Sequence, residues 1–202
     1  PDREWESEEN KVLYTQFVNE SLALYKEQYP NFDTSISTTR DISTLAQELG
    51  SADVWFIPSA YYYNEAIVQI YESGNPTLLQ NITRDFLSSG NIIIIESDGL
   101  VRDNSPYVLE MLGLVNVNSH SYTDDAVTYR NQAVEHPVLE DVPLALYKSY
   151  YASYDIDLFG VQVLTYDEQN QPVAFTRSMN GGEVYNFGYY YFSWEQGSTT
   201  FN

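Results

Sequence analysis

The chain has 202 residues, 9 basic and 29 acidic side chains, a net charge of −20 and no cysteine. That charge repels nucleic-acid phosphates and anionic lipid, and the lack of cysteine excludes disulfides, thiolate metal sites, iron–sulfur clusters and cysteine nucleophiles. A hydrophobic fraction of 43% suits a folded domain, which at this length buries about 70% of its unfolded surface, and no apolar run approaches the roughly 20 residues of a membrane span.

Residues 1–10, PDREWESEEN, are charged and aperiodic and read as a lead-in or linker before a single domain over 11–202. Lys11–Phe17 reads as a first strand. Glu20–Tyr29 reads as a helix, with Leu22, Tyr25 and Tyr29 at helical spacing and Pro30 as its stop. Phe32–Ser37 reads as a second strand. A helix follows from Asp41, a candidate N-cap, to Gly50. Asp53–Pro58 is a short, nearly continuous apolar strand. Asn64–Tyr71 reads as a helical turn or two, and Pro76–Leu87 as a full helix with Leu78, Leu79, Ile82 and Phe86 on one face.

Ile92–Ile95 has the pattern of a central parallel strand, apolar on both faces. A helix over Pro106–Leu112 and a short strand over Leu114–Val117 complete the alternating part. Alternating strands and helices with short connections predict an α/β fold with a mostly parallel sheet. The later segments are strand-like: Val127–Arg130, Leu146–Tyr154, Val161–Tyr166, Pro172–Arg177 and Glu183–Tyr191. Gln169-Asn170-Gln171 and Gly181-Gly182 read as turns between them. This β-rich half is expected to extend the sheet at one edge.

The strand Ile92–Ile95 runs into Glu96-Ser97-Asp98-Gly99. This resembles the strand-to-helix nucleophile elbow, Gly-x-Cys-x-Gly, of class I glutamine amidotransferases, with Ser97 at the nucleophile position and Gly99 at the second glycine. Ala52–Pro58, His136-Pro137-Val138-Leu139 with Val142-Pro143, and Gly182–Gly188 are similar to segments of the non-amidotransferase, trehalose-utilisation (ThuA-like) relatives. The last resembles their glycine–strand–glycine closing segment. The resemblance spans roughly residues 11–192 and implies a three-layer, flavodoxin-like sandwich. Relatives finish with a further helix, so the chain is expected to be cut from a longer protein. Glutamine hydrolysis is not implied. The cysteine is absent, Ile95 replaces the first glycine, and Phe187-Gly188-Tyr189-Tyr190 stands where a His-x-Glu is required.

Four residues are candidates for catalysis. Ser97 is a candidate nucleophile, and His120 is a base that can share its sheet edge. Glu96 and Asp98 are a candidate carboxylate pair at the carboxyl end of a central strand, where ligands bind in open α/β sheets. Each has a plainer reading: Ser97 as a helix cap, His120 as a loop residue and the acids as solvated. His136 opens a His-Pro turn. Ser59 and Tyr61, Tyr62 and Tyr63 follow one presumed parallel strand, and Tyr189 and Tyr190 follow the closing strand. Such tyrosines suit binding of sugar or peptide, or plug a lost pocket.

No cofactor and no transition metal is expected, since two histidines far apart in sequence offer little. Calcium stays open at Asp98 with Asp103-Asn104 or at Asp124-Asp125. Asp155–Gly160 begins like a calcium loop but carries Phe159 and Tyr166 where ligands are needed. Three functions remain: a non-catalytic domain binding carbohydrate or another partner, a hydrolase, and a structural module beside other domains of the parent protein. The acidic, cysteine-free composition gives the expectation of an extracellular or periplasmic protein, with no nucleic-acid partner and no membrane insertion.

Overall fold

The structure, a computed structural model, describes residues 42–57, 67, 71, 76–96, 108–140 and 142–188, together with 16, 19, 20, 22–24, 26, 27 and 30. The chain divides into two compact units, Pro1–Thr39 and Arg40–Asn202. In the first, Gln16, Asn19, Glu20, Leu22, Ala23, Leu24, Lys26 and Glu27 are helical and Pro30 lies in a turn. Gln16 was expected in a strand. It is helical instead, and its Nε2 donates to Glu20 Oε1 at 2.7 Å, the contact that four-residue helical spacing permits. The rest of that strand and the strand over Phe32–Ser37 lie outside the described residues.

The second unit begins with helix α1, Ile42–Leu49, closed by Gly50. Strand β1, Val54–Ile57, follows. Ile67 and Tyr71 are helical. Helix α2, Pro76–Ser88, buries Leu79, Thr83, Phe86 and Leu87. Leu78, expected on that face, is 42% exposed. The buried stripe is rotated toward Thr83, whose hydroxyl donates to Leu79 O at 2.9 Å and so enters the core without an unpaired donor. Gly90 ends the helix at a φ of 83°.

Strand β2, Ile92–Glu96, is next, and then helix α3, Val108–Met111. The remaining strands are β3 (Val117–Arg130), β4 (Ala145–Ile156), β5 (Val161–Tyr166), β6 (Pro172–Met179) and β7 (Gly182–Phe187).

All seven strands form one sheet in the order β1-β2-β7-β6-β5-β3-β4. β2 pairs in parallel with β1 on one side and β7 on the other. The remaining pairs are antiparallel. The sheet is therefore mixed: parallel at β1-β2-β7, with the β-rich half extending it from β7. The tight turns between β5 and β6 and between β6 and β7 explain the antiparallel pairing there, because loops this short cannot make a parallel crossover. Asn180 and Gly181 take φ of 54° and 97° between the paired residues Met179 and Gly182, a two-residue primed turn. At the β5–β6 turn the buried Asp167 carboxylate accepts from the backbone N–H groups of Gln169 (2.9 Å) and Gln171 (2.8 Å).

Register places Trp55, Ile57, Ile93, Ile95, Val184 and Phe175 on one face of the sheet. They join Leu79, Phe86 and Leu87 of α2 and Val108, Leu109 and Met111 of α3 in the main core. Each fully buried side chain of this size is worth about 1.5–3 kcal/mol. A second core holds Leu139, Tyr151, Leu164, Val173 and Ala174.

β3 corrects two sequence expectations. Leu114 and Val115 are buried but not in a strand, and the strand runs from Val117 to Arg130 rather than over Val127–Arg130 alone. His120 is thus a strand residue and not a loop residue, and Asp124 and Asp125 lie in the same strand. Ser, His and Asp carry little strand propensity, and the segment is held by pairing with β4 from Val117↔Ile156 to Tyr129↔Ala145.

Candidate functional site

β1, β2 and β7 run in parallel, so their carboxyl ends at Ile57, Glu96 and Phe187 share one edge. From these ends the chain continues toward Ser59 and Tyr61–Tyr63, toward Ser97 and Asp98, and toward Tyr189 and Tyr190. Those eight candidates lie outside the described residues. The described part of the edge is built from Glu96, Asn186, Gly188 and the residues beside them.

Glu96 is 2% exposed and stands opposite Phe187, on the face away from Ile95. One layer back, Ile57, Ile95, Asn186 and Phe175 are successive register partners across β1, β2, β7 and β6. Phe175 meets Tyr154 edge to face, with centroids 5.8 Å apart. Tyr154 in turn is the strand partner of His120. A row across the sheet therefore leads from the apolar β1 end to the histidine.

Asn186 was not singled out from the sequence. It is fully buried, and neither Nδ2 nor Oδ1 has a hydrogen-bond partner. The signal was present in Gly182–Gly188: strand alternation puts Val184 and Asn186 on the same, buried face, and a polar residue there breaks the pattern.

Gly188 locks the end of β7. Its N–H donates to Val173 O at 2.8 Å, and its carbonyl accepts from Ala152 N at 2.7 Å. β4 and β6 therefore flank the edge. Beside Ala152, the buried Ser153 donates to Gln171 Oε1 at 3.2 Å and lies 2.9 Å from Ser121 Oγ. Since the Ser153 proton is used, Ser121 is the donor between the two hydroxyls.

His120 is half-buried, and burial lowers its pKa below the ordinary 6.5. A base with a lowered folded pKa is protonated first in the unfolded chain. Its contribution to stability is full above about 6.5, is lost as pH falls from there toward the folded value, and then levels off. An NMR titration of the ring is expected to give a midpoint below 6.5, and His120→Gln should remove that part of the pH dependence. A midpoint at or above the ordinary value would contradict the burial.

His136 has a structural task. Its Nδ1 accepts from Val138 N at 3.2 Å and caps the short 3-10 helix Pro137–Leu139, while its ring packs edge to face on Tyr185 at 5.8 Å. Burial, then the nearby Glu183, raises the Tyr185 pKa and keeps its phenol neutral. The segment that begins like a calcium loop is the β4–β5 turn. Asp157 Oδ1 accepts from Phe159 N at 3.0 Å, and Gly160 has a φ of 71°. Among the described residues, no three His, Asp or Glu side chains gather closely enough to hold a metal ion. No described helix is long and apolar enough to cross a membrane.

No known protein family matches the chain, and no curated protein matches it. Solved structures do. The cytoplasmic protein STM1381 from Salmonella typhimurium LT2 is 16% identical with a TM-score of 0.57, over 82% of this chain and 74% of that one. The cytoplasmic protein STM3548 from Salmonella typhimurium is 13% identical with a TM-score of 0.49, over 75% and 64%. A ThuA-like protein from Bacteroides uniformis ATCC 8492 is 15% identical with a TM-score of 0.47, over 91% and 78%. The structural neighbours thus include a ThuA-like protein, and the likeness to STM1381 is one of α/β fold. The expectation of an extracellular or periplasmic location is corrected, because STM1381 is a cytoplasmic protein and points away from it. The expectation rested on charge and cysteine content, and charge governs solubility rather than compartment.

Proposed function

We propose that the chain is a non-catalytic domain of the class I glutamine amidotransferase-like, flavodoxin-like type, binding a carbohydrate at the carboxyl edge of β1, β2 and β7. The observation that carries this reading is the shared edge at Ile57, Glu96 and Phe187. Three segments rich in tyrosine, serine and acid depart from it. Ser59, Tyr61, Tyr62, Tyr63, Tyr189 and Tyr190 are the proposed contacts, since tyrosine joins an apolar ring to a polar tip. Ser97 in place of cysteine supports the loss of the amidotransferase chemistry.

A glycan array tests it. The wild type is expected to retain at least one glycan, and Tyr62→Ala and Tyr190→Ala each to weaken retention by about tenfold, the equivalent of one lost stacking contact of about 1.4 kcal/mol. An array on which the wild type retains nothing would sink the reading.

One observation favours a second reading, a hydrolase using Ser97 or the Glu96/Asp98 pair: Glu96 is buried at this edge. Hydrolysis of p-nitrophenyl acetate or p-nitrophenyl glycosides, abolished in Ser97→Ala or Glu96→Gln, would establish it. Equal rates in wild type and both variants would dismiss it.

A further inference from the structure

Asn186 is the one described side chain whose amide is both fully buried and wholly without hydrogen-bond partners. Buried polar groups are nearly always paired, and one that is not calls for a reason. Its place in the fold supplies one. It stands one residue short of the carboxyl end of β7, between Ile95 of β2 and Phe175 of β6. This is the edge at which three parallel strands end.

We propose that Asn186 holds a neutral vicinal diol, such as two adjacent hydroxyls of a sugar, through its side-chain amide. The inference rests on the carboxyl-edge reading above and names the group that recognises the ligand. The chemistry of the amide selects the class. It presents a donor, Nδ2, beside an acceptor, Oδ1. A carboxylate or phosphate brings acceptors only, leaves Oδ1 unpaired, and approaches a chain of net charge −20. An ammonium brings donors only and leaves Nδ2 unpaired. A hydroxyl is both donor and acceptor, and two adjacent ones satisfy both amide atoms together.

Phe175 and Tyr154, packed edge to face, are both fully buried on this side of the amide. The amide is closed off from solvent, so binding requires this end of the sheet to open, and the cost of an unpaired buried amide favours that opening.

The test is an NMR titration of the whole chain, following the Asn186 side-chain NH2 signals and the Gly188 backbone amide. The probes are D-glucose, D-galactose, D-mannose, D-xylose and trans-1,2-cyclohexanediol, with cyclohexanol as the control that lacks the second hydroxyl. At least one diol is expected to shift both sets of signals, and cyclohexanol neither. Asn186→Leu is expected to fold and to lose affinity for that probe at least tenfold. A probe that shifts Gly188 while sparing the Asn186 amide overturns the role of Asn186 and leaves the carboxyl-edge reading standing, as does unchanged affinity in Asn186→Leu. Silence of both signals with every probe overturns both. Should Asn186→Leu not fold, the wild-type titration decides by itself.

Discussion

Gly188→Ala is expected to lower the unfolding free energy by about 3 kcal/mol or more, in the range of severe overpacking with loss of buried backbone bonds. A Cβ at this position meets Ala152 O and lies 2.7 Å from Val173 O. Both are backbone atoms, so neither turns aside as a side chain would. Moving Gly188 instead breaks its bonds to Val173 and Ala152, which tie the end of β7 to β6 and β4. Its φ is not left-handed, so room and not conformational freedom is what the glycine provides. Gly182→Ala should behave alike, since its Cβ meets Asn91 O and lies 2.8 Å from Leu87 O. Urea denaturation measures both. A loss below about 1 kcal/mol at either position would contradict the close approach.

Phe175→Ala is expected to cost about 3–5 kcal/mol, the usual range for truncating a buried aromatic. Phe175 is fully buried in the main core and holds Tyr154 edge to face. Truncation leaves a cavity between β6 and β4, which the adjoining backbone can only partly close. Phe159 is the internal control. It is 82% exposed at the β4–β5 turn, and Phe159→Ala should stay within about 0.5 kcal/mol of wild type. Equal costs at the two sites would mean that the described core is wrong.

The two glycines show what the sequence revealed and what it withheld. The segment Gly182–Gly188 was legible as a glycine–strand–glycine unit, but not the reason for its glycines, which is contact with backbone of α2, β4 and β6, distant in the chain. β2 was legible because a central strand covered on both faces must be continuously apolar, as Ile92–Ile95 is, and β1 because Val54–Ile57 is an unbroken apolar run although it lies at the sheet edge with Val54 exposed. The Asn180-Gly181 turn was marked by residues that tolerate positive φ, although the turn falls one residue earlier than Gly181-Gly182.

β3 was hidden for the converse reason. Its first nine residues carry Ser, His and Asp, and pairing with β4 supplies what local propensity does not. The candidate site divides in the same way. Topology brings together the strand ends that precede Ser59, Ser97 and Tyr189. The unpaired amide of Asn186 depends on what surrounds it in three dimensions, and only its break in alternation could have marked it. His120 and Tyr154 become neighbours only through the β3–β4 register.

The most direct test of ligand binding at the shared strand edge is a crystal structure of the chain with the glycan it retains most strongly on the array. Density for the sugar is predicted over the carboxyl ends of Val54–Ile57, Ile92–Glu96 and Gly182–Phe187. Density seated elsewhere, as on the stacked pair Tyr129 and Tyr166 of β3 and β5, with that edge empty, would contradict it.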